Sequence, residues 1–182
     1  MTIIEHPDEY KEGVRILMLT LRGKDGGKIT RGDRVAVKLV SRNKEEFDEC
    51  MDKLLMMRQG EERIYSTVDK RSLEKGIRIF KYRQLDAEYY DPASRISFYV
   101  DIYNRWISSL QSPKSRAECK FMVDVDFPKD DEEGIRQQIK DLNLTLEHEY
   151  ETKNGKHFIL KPFNPKLVSF DILQNHMMLW VY

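Results

Sequence analysis

Lys120-Phe-Met-Val-Asp-Val-Asp-Phe127 is a short run of β-forming residues carrying two aspartates one position apart. Alternation in a strand sends residues i and i+2 to one face. The run therefore predicts a strand over 119–127, with Asp124 and Asp126 side by side and Val123 and Val125 on the opposite face. Two carboxylates held that close repel unless a cation or a shared proton relieves them. A hard divalent ion, Mg2+ or Mn2+, is one remedy. The other reading is a strand end with two solvated acids flanking a buried valine.

Working outward, the pattern predicts a helix over 129–142, a strand over 144–151, a turn at 153–155, a strand over 156–161 and a final strand ending at Tyr182. Asn154-Gly155 is the two-residue hairpin signal, so strands 144–151 and 156–161 are expected as antiparallel neighbours. Pro162 and Pro165 break the last connection. A β-α-β-turn-β order of this kind suits an antiparallel sheet with helices on one face, the α+β class.

The N-terminal part reads as an α/β unit packed beside that sheet. Val14–Leu21 and Arg34–Val40 are strand-like and make a hairpin-like pair around the glycine-rich turn at 23–27. Asn43 with Glu46 three residues on signals a helix start, and the pattern runs to Met57 and stops at Gly60. A strand follows at 63–68. Asp69 or Ser72 then starts a helix to about Tyr90, with Leu73, Ile77, Phe80 and Leu85 marking its apolar face. Asp91-Pro92 ends it. A second helix is expected over 94–111, with Phe98, Ile102, Trp106 and Leu110 spaced for burial. Ser112–Arg116 is a polar connector. It marks a seam between an N-terminal subdomain, 1–112, and a second one, 113–182, within a single domain of 182 residues.

Lys+Arg and Asp+Glu number 31 each, so the net charge is zero, which argues against a protein that grips nucleic acid by bulk electrostatics alone. The two cysteines, Cys50 and Cys119, have no metal-type spacing, which fits a reducing cytoplasm. No apolar run reaches transmembrane length, so no membrane partner is expected.

The hairpin after the aspartates has its own signature, Thr152-Lys-Asn-Gly-Lys-His-Phe-Ile-Leu160. His157 sits near the start of a strand, two residues after a glycine that permits close backbone approach. Alternation puts Lys156, Phe158 and Leu160 on one face and His157, Ile159 and Lys161 on the other. Lys153, Lys156 and Lys161 surround the histidine with positive charge, which suits an anion.

A strand ending in hydrophobic-Asp-x-Asp, then a helix, then a strand opening with small-x-His resembles the archaeo-eukaryotic primase superfamily, the primase-polymerases. Phe121–Asp126 matches the first motif of that family and Gly155-Lys-His157 the second. The resemblance covers roughly residues 60–182 and implies an RRM-like catalytic subdomain. It implies that Asp124 and Asp126 hold Mg2+ or Mn2+, and that His157, with Lys153, Gly155 and Lys156, meets the phosphates of a nucleoside triphosphate. The third motif, a hydrophobic residue followed by an acid, falls on Phe170-Asp171; an equivalent four or five residues later would be Asn175 or His176, without a carboxylate. Tyr65–Arg71 is similar to a segment of viral members, which implies Arg71 as a nucleotide or nucleic-acid contact. The activity implied is metal-dependent nucleotidyl transfer in replication on a single-stranded template. Any helicase is expected as a separate partner. Compact members of this kind are typical of phages and mobile elements, so the host cytoplasm is the implied setting. A non-catalytic single-strand-binding module of the same fold and a metal-dependent nuclease are the alternatives.

Overall fold

The α+β class takes the form of two antiparallel four-stranded sheets that meet in one of three apolar cores. The computed structural model describes residues 13–21, 34–60, 62–89, 92–152 and 154–181. The glycine-rich turn expected at 23–27, the turn position Lys153 and the Asp91 helix stop lie outside the described residues.

The first sheet contains β1 (Arg15–Leu21), β2 (Arg34–Ser41), β3 (Arg63–Thr67) and β8 (Met177–Val181), in the order β2-β1-β3-β8. Helix α1 (Lys44–Met57) follows β2. Its N-cap is Asn43, whose side chain accepts the Glu46 N–H at 2.8 Å. Asn43→Ala removes that acceptor and is expected to cost about 1 kcal/mol in urea unfolding. Alternation along β1 divides its side chains between two cores. Leu17 and Leu19 join Phe47 and Leu54 of α1, whereas Val14 and Ile16 pack on Ile107 and Leu110 of α4 (Ile102–Leu110).

Helix α2 (Leu73–Tyr89) starts at Ser72, whose hydroxyl accepts the Lys75 N–H at 3.3 Å. Asp69 is no cap. It is fully buried and accepts the backbone N–H of Lys120 at 2.7 Å. The inward face of α2 also differs from expectation, because Leu73, Ile77 and Leu85 are exposed. Gly76 is the buried position, and Phe80 packs edge-on against Trp106 at 5.9 Å between ring centroids. A Cβ on Gly76 would lie 2.5 Å from a methyl of Leu110, so the missing side chain lets α4 approach and sets the rotation of α2. The single helix expected over 94–111 is two, α3 (Pro92–Val100) and α4. They break at Asp101, whose φ of −107° and ψ of 27° are not helical. That break buries Ile107 in place of Ile102, which is exposed.

The second sheet contains β4 (Phe121–Asp126), β5 (Leu146–Thr152), β6 (Gly155–Leu160) and β7 (Leu173–Gln174), in the order β5-β6-β4-β7. This is the RRM-like arrangement, with the first strand central. Helix α5 (Glu132–Asp141), capped by Asp131, covers one face and buries Ile135 and Ile139 against Phe121, Val123, Val125, Phe158 and Leu160. Where an RRM-like unit would place a second helix, Pro165–Leu167 make only a 3-10 turn. The opposite face of β4 and β6 starts with Met122 and Ile159, which enter the core shared with β1, α1 and β8.

The last strand corrects the expected division of the chain. β8 pairs with β3 (Thr67 opposite Met177) and belongs to the first sheet, so the seam at 112/113 does not separate two self-contained units. Tyr150 of β5 and Trp180 of β8 meet at 6.0 Å across the join. Among the described residues no helix is long and apolar enough to cross a membrane.

Candidate functional site

Asp124 and Asp126 occupy the last half of β4, on the face opposite α5 and beyond the apolar positions that fill the shared core. The alternation expected from sequence is present: Val123 and Val125 are buried, while both aspartates are exposed. Strand β6 runs antiparallel beside them, with His157 opposite Asp124, Lys156 opposite Val125 and Gly155 opposite Asp126. Directly opposed residues of an antiparallel pair project to the same side. Asp124, Asp126 and His157 therefore share one face.

The His157 imidazole donates from Nε2 to Oδ1 of Asp124 at 3.1 Å. The histidine side chain is 7% exposed and the aspartate 43%, so a buried ring supports a carboxylate that reaches water. With Nε2 carrying the proton toward an ionised carboxylate, Nδ1 of a neutral ring holds the free lone pair. That Nδ1 is buried and has no hydrogen-bond partner among the described residues. The His157 hydrogen bond holds the Asp124 carboxyl below the usual carboxylate range; burial opposes this, and the charges of His157, His176 and Lys129 add to it. His176, just before β8, is held below the usual imidazole range by desolvation, with Asp124 opposing and His157 assisting. Its carbonyl accepts the Val68 N–H at 3.1 Å, which ties the segment between the sheets to the end of β3.

His157→Phe should keep the buried ring and remove the donor, so Asp124 is expected to titrate higher in a carboxyl NMR titration. A carboxylate whose folded pKa is depressed stabilises the fold above its unfolded value, and that stability is lost as pH falls through the folded one. In His157→Phe this acid-side loss should shrink.

Asp126 makes its turn contacts through the backbone: its N–H donates to Asp130 Oδ2 at 2.8 Å and its carbonyl accepts the Asp130 N–H at 2.9 Å. Among the described residues its carboxylate has no ion-pair or hydrogen-bond partner. Gly155 is where the glycine matters most. A Cβ there would sit 1.8 Å from the Val125 carbonyl oxygen, so the close approach it permits is that of β6 to β4.

Three expected contributors lie elsewhere. Lys156 faces α5, where its ammonium pairs with Glu132 at 3.1 Å and Glu149 at 3.3 Å, on the side of the sheet away from His157. Arg71 is 1% exposed. Its guanidinium donates to the side chain of Asn175 and, at 3.4 Å, to the Ser112 carbonyl, joining the connector to the β7–β8 link. Asp171 is exposed and precedes β7, whose ladder with β4 reaches only Met122 opposite Leu173. Among the described residues no three His, Cys, Asp or Glu side chains converge as a metal group, so Asp171 does not complete a cage with the pair. The residue drawn into the electrostatic field of Asp124 is His176.

Sequence reasoning passed over Tyr150, a buried residue directly opposite His157. The Asn154-Gly155 signal did not give that pairing: Gly155 itself belongs to β6 and pairs with Thr152, which shifts the register from the one a two-residue Asn-Gly turn would set. The donor set fits a divalent ion of one kind. Mg2+ commonly keeps several waters and binds through one or two carboxylates plus substrate phosphates, not through an all-protein cage. Asp124 and Asp126 offer that half-site. No family model, curated protein or solved structure matches this chain.

Proposed function

We propose that the protein is a metal-dependent nucleotidyltransferase of primase-polymerase type, adding nucleotides to a nucleic-acid strand in the cytoplasm. The observation that carries this reading is the cross-strand pair Asp124–His157, with Asp126 beside it, on the open face of an RRM-like sheet. The strand order and the hairpin register bring residues of two motifs, far apart in sequence, within hydrogen-bond reach.

Asp124 and Asp126 would hold Mg2+ or Mn2+. When bound, the ion supplies charge neutralisation at the triphosphate and lowers the pKa of the attacking hydroxyl. His157 orients Asp124 through Nε2 and would stand beside the phosphates. Asp171 lies two residues before the described ladder and would join only if β7 lengthened toward Asp124. Nucleoside triphosphates and a single-stranded template are the partners this chemistry requires.

The test is Mn2+-dependent incorporation of labelled nucleotides on primed and unprimed single strands, comparing the native chain with Asp124→Ala. Loss of incorporation with retained folding is expected. Full incorporation by Asp124→Ala would remove the polymerase reading. Binding of labelled single strand without extension would select a single-strand-binding module without turnover, and cleavage in Mn2+ without nucleotides would select a nuclease.

A further inference from the structure

Directly beyond Asp126, the end of the second sheet opens into a cleft of about 360 Å3, lined by Phe127, Glu151, Thr152, Asn154, Gly155 and Lys156. This is at the small end of the roughly 300–1,000 Å3 range typical of small-molecule sites. Phe127 is 43% exposed, although a phenyl ring gains from burial. The backbone holds it in place, because the Phe127 N–H donates to the Asn154 carbonyl at 2.7 Å. Gly155 forms part of the wall and is fixed against Val125 by the steric fit described above.

The polar lining is largely uncommitted within the protein. Among the described residues the side chains of Glu151, Thr152 and Asn154 make no hydrogen bond, whereas Lys156 is engaged by Glu132 and Glu149. An open aromatic face beside uncommitted hydroxyl, amide and carboxylate groups suits a flat heteroaromatic ring with exocyclic donors and acceptors. A bare phosphate would meet the Glu151 carboxylate and gain nothing from the phenyl ring. A purely aliphatic ligand would leave the polar groups unpaired.

We propose that this cleft is a nucleobase site, in which the base of the nucleotide stacks on Phe127 while Asn154, Thr152 and Glu151 meet the polar edge that does not pair with the template. This rests on the nucleotidyltransferase reading for the direction of the ligand, since Asp126 stands opposite Gly155 at the cleft's inner end. The phosphates then lie toward Asp124 and Asp126 and the base toward the hairpin tip. Phe127 is a binding residue here and takes no part in bond making.

Calorimetric titration of the full chain in Mn2+ with three probes separates the two halves of the site: ATP, adenosine, and inorganic tripolyphosphate. Phe127→Ala is expected to weaken ATP and adenosine about tenfold, in line with base–aromatic stacking energies, and to leave tripolyphosphate unchanged. Phe127→Trp should retain ATP affinity, and since the ring is half exposed both variants should melt like the native chain. Asp126→Asn should weaken ATP and tripolyphosphate and leave adenosine unchanged. The base site is overturned if Phe127→Ala leaves ATP affinity intact, or weakens ATP and tripolyphosphate equally. ATP binding that depends on Asp126 and not on Phe127 removes the base site alone. Dependence on Phe127 and not on Asp126 supports the base site and removes the metal-dependent reading. No binding of ATP overturns both.

Discussion

Asp126→Asn is expected to lower Mn2+-dependent nucleotide incorporation on the order of 10^3-fold while leaving the melting temperature where it was. The substitution keeps the shape of the side chain and removes only its charge. Asp126 is exposed, and its carboxylate has no partner among the described residues, so the fold loses little. Its backbone contacts to Asp130 survive the change. Asp124 is a less discriminating position, because its carboxylate also receives the His157 hydrogen bond, and altering it disturbs a buried ring as well as the proposed metal site. Incorporation by Asp126→Asn within a few-fold of the native rate would mean that the paired acids are merely a solvated strand end.

Gly155→Ala should destabilise the protein by about 3 kcal/mol, read as a lowered midpoint in urea. The added Cβ would fall 1.8 Å from the Val125 carbonyl oxygen, 2.9 Å from its carbon and 3.2 Å from the Asp126 Cα. All three are backbone atoms of the central strand, and none can swing aside as a side-chain tip can. Relief requires β6 to lift from β4 at the end of the ladder that carries Asp126. Gly76 offers the contrast, since its clash is with a methyl of Leu110 that can turn away. Gly76→Ala should therefore cost less. An unchanged urea midpoint for Gly155→Ala would show that the two strands are not in the tight register described.

The parts of the fold legible in sequence are those set by neighbours along the chain. Alternation in 121–126 separated the aspartates from the valines, and Asn154-Gly155 signalled the antiparallel hairpin, although Gly155 pairs with Thr152 and lies in β6 and not in the turn. Asn43 capped the helix it was expected to cap. Long-range choices were not legible. Nothing in the periodicity of 177–181 says whether that strand joins β4 or β3, because both offer an apolar edge. The rotation of α2 follows from the space at Gly76, which only the approach of Leu110 reveals. Arg71 looked available because it is charged, yet its partner Asn175 is 104 residues away. The candidate site shows the same division: the shared face of Asp124 and Asp126 follows from local alternation, whereas the pairing of Asp124 with His157 and the proximity of His176 depend on how distant segments come together.

That crossing makes the closing strand a clasp. Trp180 of β8 donates its indole N–H to the Ser66 hydroxyl across 114 residues of sequence, inside the core that both sheets share. Contacts of such separation carry a high loop-closure cost and slow folding. The strand that completes the first sheet comes after all the strands of the second in sequence. Unfolding should accordingly be one transition, with no stage at which either sheet survives alone. His176 lies in that returning segment, so it reaches Asp124 and His157 only when the clasp is shut.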